Sequence, residues 1–146
     1  MTEDFIPFEL AKKLKEKGFD EECLAYYTSE YTLYLNKVVL CDDKYLEVAE
    51  IDYEECLRSY NTQKDRLLRT IVDAPTISQV LKWLRKEKQL HIVIVTGHNI
   101  VTNTHLWGYK IWDLANHVWL HAKIADDSYE LAALSGIEFV IDNLLL

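Results

Sequence analysis

The stretch from Ala74 to Leu146 constrains this chain more than any other feature, because it reads as one helix, three strands and one helix. Thr76-x-x-Gln79 has the form of a capping box, in which side chains satisfy the free N–H groups of a helix start. Ile77, Val80, Leu81 and Leu84 then recur at i, i+3, i+4 and i+7, the spacing of one helical face. LHIVIV (90–95) reads as a buried strand, punctuated by Gly97-His98-Asn99. A second strand is expected near Leu106–Trp112 and a third near Val118–Ile124. Asp127-x-x-Glu130 is expected to cap a closing helix, with Tyr129, Ala133, Gly136 and Val140 on its buried side. Gly136 in mid-helix costs about 1 kcal/mol against Ala, and a close helix–sheet contact is the usual reason to accept it. This order closes into a three-stranded sheet with both helices on one face.

The first half has a different texture. A helix opens at Pro7, whose missing N–H is harmless in a first turn, runs through FELAKKLKEK and stops at Gly18. Leu10, Ala11 and Leu14 form its apolar stripe. CLAYYT and YTLYLNKVVL are β-branched and aromatic, Asp42-Asp43-Lys44 is a turn, and YLEVAEI returns as an alternating strand. Asp52 to Asp73 is ambiguous: Asp52-x-x-Glu55 can cap a helix with Tyr53, Cys56, Leu57 and Tyr60 on one face, whereas 61–73 has no clear period and reads as a connection. The fold class expected is α+β, with a helix plus β-hairpin or meander N-terminal lobe (1–73) and an α-β-β-β-α C-terminal lobe (74–146) packed as one compact domain.

Charge and composition exclude several functions. The chain carries a formal charge of −8 over 146 residues, with −7 in residues 1–73 and −1 in residues 74–146. An acidic body repels phosphate backbones, so nucleic acid is a disfavoured partner. No apolar run approaches the roughly 18 residues of a membrane span, and MTEDFIPFEL lacks the basic and apolar regions of a signal peptide. A cytoplasmic protein is expected. Cys23, Cys41 and Cys56 are odd in number and lack a CxxC, so they are read as reduced core residues without disulfides.

Two resemblances add to this reading. IPFELAKKLKEKGFDEECLAYY, APTISQVLKWLRKEKQLHIVI and SYELAALSGIEFVIDNL resemble stretches of small α+β proteins, of no known function, from phages and mobile elements of gut anaerobic bacteria. The resemblance covers both ends and the centre but not residues 28–72, and it implies a phage or mobile-element context with no activity or site to carry over. Separately, the α-β-β-β-α order resembles the double-stranded-RNA-binding domain. That family holds phosphate with lysines at the start of its final helix, where the helix dipole assists. This chain has Asp126, Asp127 and Glu130 there, and the family's Gly-Pro-x-His loop is reduced to Gly97-His98. The likeness implies a topology and speaks against the function.

No motif marks catalysis. There is no GxGxxG, Walker A or HExxH pattern, and no cysteine is flanked by nucleophile-elbow glycines. Acidic pairs such as Asp42-Asp43, Glu54-Glu55 and Asp126-Asp127 fall at turns or caps and read as structural. His117, Trp119 and His121 would share one strand face by alternation. A metal-dependent hydrolase using His117 and His121 is one alternative, although histidines at i, i+4 in a strand lie too far apart for one zinc without a bend or a further ligand. No cofactor is expected.

The aromatic residues are the stronger lead. Trp107, Tyr109 and Ile111 would share one face of the second strand, and Lys110 and Trp112 the other. Exposed aromatics beside polar groups typify interface hot spots, and the competing reading is that the N-terminal lobe covers them. The function expected is therefore a non-catalytic accessory protein acting by protein–protein contact through Trp107, Tyr109, Trp112 and Trp119, with homodimerisation by sheet edge or sheet face as one form. A nucleic-acid-binding module using the strip Lys82, Arg85, Lys86 and Lys88 is a second alternative, and acidic mimicry of nucleic acid by the N-terminal half a further one.

Overall fold

Gly18 ends the first helix as its sequence position predicts. In the computed structural model, which describes residues 4–28, 33–35, 39–42, 45–48, 61 and 71–145, helix α1 spans Phe8–Glu16. Gly18 takes φ 89°, and Gly18 N–H and Phe19 N–H donate to the carbonyls of Lys15 and Leu14 at 3.1 and 3.0 Å. These are the paired bonds of a Schellman ending. Leu10, Ala11 and Leu14 are buried, as is Phe19 beyond the glycine.

Short strands follow: β1 (Ala25–Tyr27), β2 (Leu33–Leu35), β3 (Val39–Asp42), β4 (Tyr45–Val48) and β5 (Val72–Ala74). They form an antiparallel sheet of order β2-β1-β5 and a separate β3-β4 hairpin. Two expectations are corrected here. YTLYLNKVVL contains two strands in different sheets rather than one strand, and 72–74 is a strand paired with β1 rather than part of a connection. A buried polar knot holds β5 in place. Asp73, only 1% exposed, accepts from Asn61 N–H at 3.0 Å and donates its own N–H to Asn61 Oδ1 at 3.1 Å, while Asn61 Nδ2 donates to Phe19 O at 2.9 Å. The helix considered at Asp52–Tyr60 and the turn at Asp43-Lys44 lie outside the described residues.

The second half carries the expected element order: α2 (Ile77–Glu87), β6 (Leu90–Asn99), β7 (Thr104–Asp113), β8 (Val118–Asp126) and α3 (Tyr129–Asn143). Thr76 Oγ1 accepts from Gln79 N–H at 3.2 Å, and Ile77, Val80, Leu81 and Leu84 are all buried. The strands form an antiparallel meander of order β6-β7-β8. Gly97, His98 and Asn99 continue β6 rather than ending it, because the β6–β7 ladder runs unbroken to Asn99↔Thr104. At α3 the cap is Ser128, not Asp127: Ser128 Oγ accepts from Leu131 N–H at 3.1 Å. The register shift puts Tyr129 at the exposed start of the helix, while Ala132, Ala133, Gly136, Ile137, Val140 and Ile141 are buried.

Helices α2 and α3 pack against each other and on the sheet, with α2 over β6 and α3 over all three strands. Gly136 makes the closest approach. A Cβ there would lie 3.0 Å from Ile92 Cγ2 and 3.1 Å from Tyr109 Cγ, so the mid-helix glycine goes with a tight helix–sheet contact. The fold is thus α+β, with three helices and two three-stranded antiparallel sheets among the described residues. It divides into one unit of Phe5–Pro75 and another of Thr76–Leu146 with the N-terminal Met1–Asp4, two residues from the boundary read in the sequence.

Candidate functional site: the open face of the β6-β7-β8 sheet

Strand alternation sorts the sheet into two sides. Ile92, Ile94, Tyr109 and Ile111 lie on the helix side, where Ile92 pairs with Ile111 and Ile94 with Tyr109. The other side carries three cross-strand rows: His91–Trp112–Trp119, Val93–Lys110–Ala122 and Val95–Gly108–Ile124. These rows hold Lys110 as their one full charge, and they hold no acid. Trp119 is 55% exposed and Ile124 44%, while Trp112, Val93 and Val95 are half-buried.

The centre of this face is an aromatic pair. Trp112 and Trp119 meet edge to face with centroids 4.7 Å apart and planes at 68°, the arrangement ring quadrupoles favour. Lys110 Nζ stands 5.5 Å from the Trp119 centroid, within cation–π range. His117 approaches Trp112 from the β7–β8 turn, with centroids 6.4 Å apart. That turn is tied by Asp113, whose Oδ1 accepts from Ala115 N–H at 2.9 Å and Asn116 N–H at 3.2 Å, and whose Oδ2 accepts from Asn116 Nδ2 at 2.7 Å. The Asn116 amide above all holds the Asp113 carboxyl below its ordinary pKa, with backbone N–H bonds and His117 adding to it against a smaller opposing effect of desolvation.

Two bulges in β8 decide which residues reach the face. Ile111 pairs with His121 and Trp112 with Trp119, so Leu120 is an extra residue; Gly108 pairs with Ile124 and Trp107 with Asp126, so Ala125 is another. Each extra residue reverses the alternation. The expected row of His117, Trp119 and His121 is therefore broken: Trp119 lies on the open side and His121 on the helix side, stacked on Phe139 at 3.8 Å and 6°. His117 sits in the turn at φ 54°. The alternative that pairs His117 with His121 on a metal is corrected by this geometry, because the sheet separates the two rings. The second bulge also explains Gly108. It draws β8 so close that a Cβ at Gly108 would lie 2.5 Å from Ile124 Cα and closer still to the Lys123 carbonyl oxygen.

Of the four aromatics expected to form an interaction surface, two do reach this face and two do not. Tyr109 is 2% exposed beneath α3, and burial first, then the Asp126 carboxylate, pushes its phenol above 10.0. Trp107 is half-buried on the helix side, edge-on to Tyr129 at 5.9 Å. Both are strand-mates on the face the helices claim. Reading the sequence missed Ile124, Val93 and Val95 as neighbours of the tryptophans. The apolar character of 90–95 is visible in the sequence, where it reads as a buried strand with no sign of which residues face outward.

The basic strip lies elsewhere. Lys82, Lys86 and Lys88 are exposed and Arg85 half-buried on α2, with Lys86 3.8 Å from Glu87 and Lys88 Nζ 5.3 Å from the Trp83 ring. Lys82, Arg85 and Lys86 stand on α2, on the helix side of the sheet, whereas Trp112 and Trp119 lie on its other side; Lys88, just past the helix end, lines a cleft with Asp113 and Leu120. Cys23 is buried and free, its Sγ 3.4 Å from Glu21 O; the side chains of Cys41 and Cys56 lie outside the described residues. Among the described residues no helix is long and apolar enough to cross a membrane. No protein-family model matches the chain. No curated protein and no solved structure matches it either.

Proposed function

We propose that this protein acts by protein–protein contact, without catalysis, and that its open sheet face is the contact surface, with a second copy of the chain as the partner. The observation that carries the reading is the Trp112–Trp119 pair on the face opposite the helices, with Trp119 55% exposed and apolar rows beside it. Size supports it. Strands of nine or ten residues, about 4.8 Å apart at 3.3 Å per residue, give a footprint of about 14 by 30 Å. That flat area, about 420 Å2 before side-chain relief is added, comes close to the about 500 Å2 per partner that a specific interface needs. Two sheets pack face to face at about 10 Å, and a second copy offers an equally apolar, acid-free face.

The edge of β8 is the weaker surface for self-association. Its two bulges and Lys123 are devices that blunt edge pairing. The context we propose is that of an accessory protein of a phage or mobile element, as the resemblance in residues 6–27, 74–94 and 128–144 implies, with a cytoplasmic location as the sequence composition suggests. An amide NMR dilution series tests the surface: residues 91–95, 108–112 and 119–124 should shift with concentration, and shifts confined to α2 or α3 would overturn the proposal.

A further inference from the structure

We propose that His98 and His105 form a two-imidazole site for a divalent transition-metal ion, copper(II) foremost. The two residues are direct partners in the β6–β7 ladder, where opposing Cβ atoms lie about 4.5–5.5 Å apart. Their rings stack with centroids 4.5 Å apart and planes at 19°, and both residues are exposed. Imidazole nitrogen binds such ions at about 2.0–2.1 Å, so two ligating nitrogens must come to about 3 Å of each other. The 4.5 Å stack is wider than that, so binding would draw the His105 ring toward His98.

The residue that orients the site is Asn103. His98 Nε2 lies 3.1 Å from Asn103 Oδ1. With the proton on Nε2 donated to that oxygen, Nδ1 of His98 is left bare as the ligand, the tautomer that an outer hydrogen bond selects in metal-binding histidines. Asn103 is itself held at φ 50° in the loop Ile100–Asn103. Two nitrogen ligands with the remaining positions open to water suit an exchangeable ion, and among divalent ions nitrogen sites rank copper above nickel and zinc. This site is separate from the tryptophan face: His98 and His105 lie on the other side of the sheet, at the hairpin end. It therefore stands or falls independently of the proposed function.

Isothermal titration of the tag-free full chain with copper(II) chloride, paired with electron paramagnetic resonance, tests the site. One ion per chain should bind, with nitrogen hyperfine structure. His98→Ala and His105→Ala should each weaken binding by about tenfold or more, since losing even an outer-shell partner costs a metal site that much. The milder His105→Gln should do the same, and His91→Ala, on the opposite face, should leave affinity unchanged. Wild-type affinity in His105→Ala and His105→Gln, or equal loss in His91→Ala, would overturn the proposal, as would the absence of nitrogen coupling.

Discussion

Single atoms at two positions carry much of what holds this sheet and its turn. Gly136→Ala should gain about 1 kcal/mol of helix propensity. It should lose more, because the new methyl meets Ile92 and Tyr109, 4% and 2% exposed, at 3.0–3.1 Å, and these buried side chains must shift by a few tenths of an ångström to admit it. Overpacking costs about 1–3 kcal/mol, so a net loss of about 1 kcal/mol in a denaturant titration is expected. This role was legible in the sequence, since a glycine in mid-helix is costly without a reason. Gly108 was not legible, because the bulge that brings β8 onto it leaves no local mark. At Asp113 the expectation concerns pH. Its carboxyl titrates below 3.8 in the fold, so its stabilising effect is present above that value and lost as pH falls through the lower, folded one. Asn116→Ala removes the largest cause, and carboxyl carbon NMR should show the Asp113 titration move up toward 3.8. A titration unchanged by the substitution would mean the backbone N–H groups alone depress it.

At the scale of elements, local chemistry spoke clearly where a cap or a period was strong. The Thr76 cap, the stripe of α2 and the Gly18 ending all stand where the sequence places them. Thr76→Ala should cost about 1 kcal/mol, the usual worth of an N-cap hydroxyl, read as a lower denaturant midpoint with an unchanged slope. Elsewhere two local signals competed. Asp127 and Ser128 are both good caps, and the choice of Ser128 goes with Asp126 being held by Ser135 Oγ at 3.1 Å. Strand β5 is three residues long and is fixed by the Asp73–Asn61 pairing across twelve positions, a long-range effect no period reveals. The bulges in β8 did most damage to the reading. Alternation is exact only in an unbroken strand, so one extra residue at Leu120 sent His121 under the helix and left Trp119 outside.

For the whole molecule, the distribution of polarity points to a surface rather than a pocket. The chain is acidic overall, yet the open rows of the β6-β7-β8 sheet carry Lys110 and no acid. In a layered domain an apolar sheet face is a surface for burial, and we propose that a second copy buries it. The tryptophan content that suggested a contact surface was legible. Which two of the four chosen aromatics face outward depended on helix placement and on the bulges. Light scattering after size exclusion, on wild type and on Trp119→Ser at low and high salt, tests the central claim most directly. The account predicts a dimer of the wild type that salt does not dissociate, because apolar burial is not screened, and a folded monomer for Trp119→Ser. A wild-type monomer, or a dimer that Trp119→Ser leaves intact, would contradict it.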